Sequence, residues 1–324
     1  VIDAFKWNNE GWKMWNNEGW KMNLGKLSIA GGSFINDKET IRAAYNNQFD
    51  GQHIHFGQIN GSITNLKLLN DTIQANIDLS TKERSGFEVK KLASNLKFTP
   101  ELMEFNQLEL LTNKSKLGNY YAMSYESFNK DMSNFLSNVT LDIDFKESTL
   151  SSDDLAFFAP DLSTLKRVIH IEGQAKGTVE NFTAKNLKLK TGNSFLDGNI
   201  SMTGLPDIKT TFINLKSNNF LSNYEDLSSI IPSLKNIKQP SLAKLGNIGY
   251  RGNFTGFITD FVAYGNIRTN LGNFEADLNM KLPEGNSPPT YSGKINTIGF
   301  NLGQFIADKN FGIVSRQKLW YCST

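Results

Sequence analysis

The sequence predicts an all-β protein, an elongated stack of strands with two short helical interruptions. Three observations predict it: repeated two-residue alternation of apolar and polar side chains, a composition that favours strands and turns, and degenerate internal repeats 79 residues apart. The chain is rich in asparagine, serine, threonine, glycine and phenylalanine and poor in proline and alanine, a mixture suited to strands joined by turns rather than to helices.

Alternation marks a strand with one buried face. In TIQANIDLS, Ile73, Ala75, Ile77 and Leu79 share one side while Gln74, Asn76 and Asp78 take the other. NVTLDIDFK repeats the arrangement with Val139, Leu141, Ile143 and Phe145, as do Leu187 with Leu189, and Phe261 with Ala263 and, across an expected bulge, Tyr264.

Two segments break this period, at about 152–166 and 223–236. Leu155, Phe158, Ala159 and Leu162 are spaced three, one and three apart, as are Leu227, Ile230, Ile231 and Leu234, which places each set on one side of a helix. Each segment has aspartate before its leucine (Asp154, Asp226) and proline five residues after it (Pro160, Pro232). They read as two copies of one short helical element, broken or kinked at proline.

Three stretches, GQINGSITNL from Gly57, GQAKGTVENF from Gly173 and GNFTGFITDF from Gly252, share two glycines four apart followed by a strand-like run. Glycine in such a context marks a turn, a bulge or a close approach of backbones. LELLTNKSKL from Leu108 and LKLKTGNSFL from Leu187 share Leu, Leu, Thr, Ser and Leu at identical spacing. Units of this size point to a stack in which each buries its apolar face only beside its neighbours.

Bulk properties exclude several functions. With 34 basic and 32 acidic residues the net charge is +2, too small for a field that would hold nucleic acid. A lone cysteine, Cys322, gives no disulfide framework, and three histidines are a poor supply of metal ligands. No run approaches the roughly 20 apolar residues of a membrane span. A nucleophile elbow, a P-loop and an H-E-x-x-H motif are all missing, and GNIGYRG from Gly246 is followed by a strand rather than the helix of a dinucleotide fold. Neither a catalytic residue nor a cofactor is expected. His53 and His55 fall on one side of a strand without a third ligand and read as exposed strand residues, and His170 reads as structural. Asp142 with Asp144 reads as a solvated strand face, and Asp153 with Asp154 as a helix N-terminus.

The glycine-started strands, the L-x-L-x-T-x-x-S-x-L strands and the closing stretch YSGKINTIGFNLGQFIADKNFG (291–312) resemble the TamB family of the AsmA-like group, over most of residues 24–314. The resemblance implies a long, curved antiparallel sheet folded into an open trough with a hydrophobic interior, in the periplasm of a diderm bacterium. It implies an anchor in the inner membrane, passage of phospholipid towards the outer membrane, and outer-membrane protein assembly with a TamA-type insertase. On this reading the chain is a middle section of a longer protein.

A path for acyl chains needs a continuous apolar surface, since each buried methylene contributes roughly 0.8 kcal/mol. The wall expected from the alternating strands is Ile73, Ile77, Val139, Leu141, Ile143, Leu187, Leu189, Ile200, Phe261 and Leu278. Short amphipathic helices at the rim of such a trough would cover the groove or simply cap the exposed sheet. The alternative from another functional class is a surface adhesin or scaffold that binds glycans through tryptophans near residues 7–20.

The octapeptide WNNEGWKM is copied without change over 7–22, unlike the degenerate long repeats. Residues 1–23 read as an edge hairpin carrying a recent duplication or an artefact. Residues 24–314 read as the continuous repetitive sheet, and 315–324, where the pattern is lost, as a tail foreign to it.

Overall fold

A computed structural model describes residues 21–37, 47–230, 234–235, 237, 240–282, 290–315 and 318–322. Most of the octapeptide pair, Trp7 to Trp20, Ile231 and Pro232 lie outside the described residues. The chain forms two compact units, Val1–Val139 and Thr140–Thr324.

In the first unit six antiparallel strands follow one another in chain order: β1 (Lys21–Asp37), β2 (His53–Leu69), β3 (Thr72–Glu83), β4 (Glu88–Thr99), β5 (Leu102–Thr112) and β6 (Lys116–Ser124). The second unit is an antiparallel meander of β7 (Thr140–Ser151), β8 (Val168–Gly177), β9 (Asn181–Thr191), β10 (Ser194–Thr203), β11 (Phe212–Asn223), β12 (Asn247–Phe257), β13 (Asp260–Thr269), β14 (Gly272–Lys281) and β15 (Thr290–Ile298). A small pair, β16 (Phe300–Asn301) with β17 (Ile313–Val314), follows, and β18 (Lys318–Cys322) returns to pair with β15. The all-β, antiparallel reading is therefore correct.

Each hairpin pairs residues of one face with residues of the same face, so alternation becomes a set of rows crossing the strands. In the first unit one such row is Leu68, Ile73, Phe98, Met103 and Met123, and beside it run Ala75, Leu96, Phe105 and Tyr121. Polar residues face the other way: Asn76 lies opposite Asn95, and Gln74 opposite Lys97.

A strict two-residue period would not hold these faces together. Ala184 and Leu187 are an odd number apart, as are Ile63 and Leu66, and so would point to opposite sides. The chain restores the phase with bulges. Asn65, Gln107, Glu147 and Asn186 each take a positive φ (53°, 53°, 46° and 51°) where the register shifts by one residue. The abundance of asparagine has a local cause here, because its short polar side chain tolerates this conformation better than most.

The two repeat patterns resolve differently. L-x-L-x-T-x-x-S-x-L is a β-hairpin: Thr112 Oγ1 receives the Ser115 N–H at 3.1 Å in the turn from β5 to β6, and Thr191 pairs with Ser194 at the corresponding turn from β9 to β10. Leu110 lies opposite Leu117, and Leu189 opposite Leu196. The paired glycines occupy no single element. The copies at Gly173 and Gly252 end β8 and β12 and run through a turn into the next strand, while the copy at Gly57 lies wholly inside β2. What they share is a backbone too close to its neighbour for a side chain: a Cβ at Gly61, Gly177 or Gly256 would collide with the carbonyl oxygen of Asp78, Asn181 or Asp260.

Helical interruptions are more numerous than two. The expected segment at 152–166 is one turn of helix, α3 (Ser152–Leu155), then a 3-10 turn at Pro160–Thr164, broken at proline as its sequence implied; the expected segment at 223–236 begins as α4 (Tyr224–Ile230). Sequence periodicity missed α1 (Phe128–Asp131), α2 (Phe135–Asn138), the 3-10 turn Leu242–Leu245 and α5 (Leu302–Ile306). These are too short to show a period. The 126–138 insertion is organised instead by one buried carboxylate: Asp131 accepts the backbone N–H groups of Glu126 (2.8 Å) and Ser127 (2.9 Å) and the Asn138 side chain (3.0 Å).

Tyr264 is also placed differently from expectation. No bulge interrupts β12, β13 and β14, so Tyr264 stays in phase with Asn253 and Asp277 on the polar face and is 62% exposed.

The close approaches give the first prediction. Gly252→Ala would drive a methyl group into Tyr264 O and lower the unfolding free energy by about 1–3 kcal/mol in urea denaturation. Gly312→Ala, at a position with nothing within 4 Å, leaves it unchanged.

Candidate functional site

The feature that organises the second unit is its apolar face, which consists of parallel rows crossing the strands. The longest all-apolar row is Ile143, Ala175, Ala184, Ile200, Leu215, Phe254, Ala263 and Leu278, one residue from each of β7 to β14. Leu141, Gly177, Phe182, Met202, Ile213, Gly256, Phe261 and Met280 run beside it towards the end of the strands. On its other side lies a row that is small from β10 to β14, Gly198, Ser217, Gly252, Gly265 and Ala276, and that continues through Leu187 opposite Gly198 and through Gly173 opposite Phe145. Beyond that come Ile171, Leu189, Leu196, Phe220, Tyr250, Ile267 and Phe274.

The small row is a packing requirement. A Cβ on Gly198 would meet Lys216 O, and one on Gly265 would meet Arg251 O. Tyr250 shields the bare backbone at the Gly252–Gly265 pair. Its hydroxyl reaches past both glycines to Asn253 O (2.6 Å) and Tyr264 O (3.1 Å), and burial pushes its pKa up to about 12. An aromatic ring laid beside strand glycines in this way replaces the side-chain packing they lack.

The opposite face is polar and charged. Lys176 pairs with Asp142 at 3.0 Å and Lys188 with Glu172 at 3.4 Å, both exposed. Such pairs contribute little to stability and serve mainly to keep that face wetted.

The ten residues expected to form the wall are distributed as follows. Ile73 and Ile77 lie on the apolar face of the first unit. Leu141, Ile143, Leu187, Leu189, Ile200, Phe261 and Leu278 all lie on that of the second, three of them in the single row through Ile143. Val139 is on no strand: it follows α2, is 0% exposed and belongs to enclosed packing. Ile77 and Leu187 are also buried, while Ile73, Leu141, Ile143, Leu189, Ile200, Phe261 and Leu278 are half-exposed. Leu215, Phe254, Phe182 and Met202 share the surface and were missed. Phe254 is hidden between glycines in GNFTG, and Phe182 is out of phase with Leu187 until the bulge at Asn186 is known.

One rim of this sheet carries the helices. The β7–β8 connection holds α3 and its 3-10 turn, the β11–β12 connection holds α4 and Leu242–Leu245, and α5 follows β15. Between them the β9–β10 and β13–β14 connections are tight turns. Asp226 of α4 joins these parts: it accepts Arg167 (2.8 Å), the backbone N–H of Asn193 (2.9 Å) and Ser194 Oγ (3.2 Å). Burial alone would raise this carboxyl, but the bonds from Arg167, Asn193 and Ser194 outweigh it and hold the pKa below the usual range.

His53 overturns the exposed-strand expectation, whereas His55 fits it. His53 is 2% exposed, with Nδ1 2.8 Å from Asp50 Oδ2. Arg84 reaches the same carboxylate oxygen at 3.2 Å and donates through Nε to His53 O at 2.8 Å. Next to them the buried Glu83 carboxylate receives the N–H groups of His55 (3.2 Å) and Ser85 (2.7 Å). Sequence spacing located the two histidines but not Asp50 and Arg84, which close around His53 from the preceding loop and from beyond β3. The cluster ties the start of β2 to the end of β3, and among the described residues no group of histidine, cysteine and acidic side chains is arranged to hold a metal ion.

The tryptophans near 7–20 lie outside the described residues, and none of the described helices is long and apolar enough to cross a membrane. No family model, curated protein or solved structure matches the chain.

Asp50→Ala tests the cluster around His53. Burial opposes the Asp50 charge, but His53, the Gln52 N–H and Arg84 lower its pKa. The variant loses about 2–3 kcal/mol at neutral pH. Because the folded pKa is depressed, the Asp50 contribution is complete above the unfolded value near 3.9 and disappears as pH falls through the folded one. Wild type and variant therefore converge in acid, read by urea midpoints across pH.

Proposed function

We propose that the chain is a non-catalytic section of a lipid conduit, in which the apolar face of the second unit is the floor and wall of an open trough that carries phospholipid acyl chains. The observation that carries this reading is the eight-residue apolar row from Ile143 to Leu278, in which every member except Ala184 stays half-exposed. A sheet that used this face as an ordinary core would bury it. A fully enclosed Leu or Phe gains roughly 1.5–3 kcal/mol, so an open row leaves part of that gain for a hydrocarbon guest.

The chemistry suits a guest that slides. Row after row offers methyl, methylene and aromatic surface without a charged group to fix one molecule, and the charged residues are kept on the other face. The small row through Gly252 lets neighbouring backbones approach closely, which suits a sheet folded along its middle with apolar walls on each side. The first unit has apolar rows of its own, containing Ile73 and Ile77. The wider role follows the TamB resemblance: the periplasm of a diderm bacterium, lipid passing between inner and outer membranes, and a TamA-type insertase as partner in outer-membrane protein assembly.

Native mass spectrometry of the purified protein is expected to find co-extracted phospholipid. Ile143→Asp and Leu189→Asp remove it while far-UV circular dichroism retains the strand signal. Protein that carries no lipid and excludes an apolar dye would make the face a closed core and sink the proposal.

A further inference from the structure

Helix α4 is attached to the rim in an unusual way for a permanent cap. A permanent cap on an apolar sheet is expected to bury apolar side chains against it, because that is where the stabilisation lies. At α4 a set of directed polar bonds joins the helix to the sheet as well. Ser194 and Ser222 are buried at inward positions, next in line on their strands after Leu196 and Phe220, and their hydroxyls lie 2.7 Å apart. Asp226 lands on Ser194 and on the turn before it, so α4 stands over the inward face at this rim.

Arg167 is the other half of the attachment. Its side chain bridges Asp226 at 2.8 Å and Ser229 Oγ at 2.9 Å, both on α4. Its backbone is fixed to α3: its N–H donates to Ser152 Oγ at 2.9 Å, and its carbonyl accepts the Ser152 N–H at 2.8 Å. One guanidinium thus fastens the two helical insertions to each other across the β9–β10 turn. Gly192 in that turn leaves room for it, since a Cβ there would lie 2.9 Å from Arg167 Nη1 and 3.2 Å from the Asp226 carboxylate.

A buried ion pair differs from apolar packing in its balance of terms. The desolvation of both charges offsets much of their attraction, so the closed state gains little net free energy, yet loss of either partner strands the other and favours opening. We infer that the Arg167–Asp226 bridge is a releasable clasp, holding α4 closed over one rim of the apolar groove and freeing it as a unit when the bridge breaks. Lipid then has access to the groove through this rim. The access step rests on the lipid-conduit reading above; the opening of α4 does not.

The test compares wild type, Arg167→Ala and Arg167→Lys by hydrogen exchange and by uptake of a fluorescent phosphatidylethanolamine from vesicles of phosphatidylethanolamine and phosphatidylglycerol. Arg167→Ala is expected to raise exchange in 224–230 by about tenfold or more, the scale of a local opening made easier by one lost charge pair, while β9 to β12 stay protected. Uptake rises by about threefold or more as the cover opens. Arg167→Lys, which keeps the charge but loses the fixed planar geometry by which Nη2 reaches both Asp226 and Ser229 Oγ, falls between. If exchange rises in β9 to β12 as well, Arg167 pins the sheet and the clasp is refuted. If wild type takes up lipid and the variant, with α4 alone opened, takes up no more, α4 gates nothing and the inference fails. If neither wild type nor variant takes up lipid although α4 opens, the conduit reading fails instead.

Discussion

The second unit depends on how closely its neighbouring backbones approach along one row. Gly173, Gly198, Gly252 and Gly265 stand where a Cβ would strike or crowd the next strand, and Ser217 and Ala276 complete the line with small side chains. From β10 to β14 the strands meet at this row over small residues and the large ones lie on either side of it, while in β7 and β9 the row is filled by the buried Phe145 and Leu187. That divides the apolar face into two bands, one through Ile143 and Leu278, the other through Leu189 and Phe274. Tyr250 shows how the local cost is met: where two glycines face each other, a ring from the adjacent row covers them and its hydroxyl bonds to carbonyls beyond.

The same requirement explains the bulges. Rows remain rows only if every strand keeps its apolar residues on one face, yet a strand broken by Asn186 or Glu147 counts one residue too many. Taking that residue into a positive φ lets the strand turn back into phase. Polar residues thus decide where the apolar face is continuous.

The rims differ in chemistry from the middle. Asp226, Asp131 and Asp50 each gather several donors around one carboxylate, respectively at α4, at the 126–138 insertion and at the start of β2. Short helices and loops are held in this way by directed bonds, which fix one geometry. At α4 the consequence is a join between two helical insertions at a single side chain, Arg167. At Asp50 and His53 it is structural, since two strands are joined there.

The sequence by itself determined the all-β class, the polarity of most strands and the 79-residue echo, which the structure resolves as a pair of hairpins. These follow from nearest-neighbour chemistry: alternation sets one face, and a Thr-x-x-Ser turn sets the pairing of the strands that flank it. It also located seven of the expected wall residues on one surface of the second unit. It could not show that Phe182 and Leu187 share a face, that Val139 is enclosed, that Tyr264 is on the wet side or that His53 is buried with Asp50. Those depend on register, and register is settled between strands: a single residue absorbed in a bulge exchanges inside for outside for all that follows. The union of Arg167 with Asp226, 59 positions apart in the chain, is likewise a tertiary fact, created when the meander brings the β7–β8 and β11–β12 connections to the same rim.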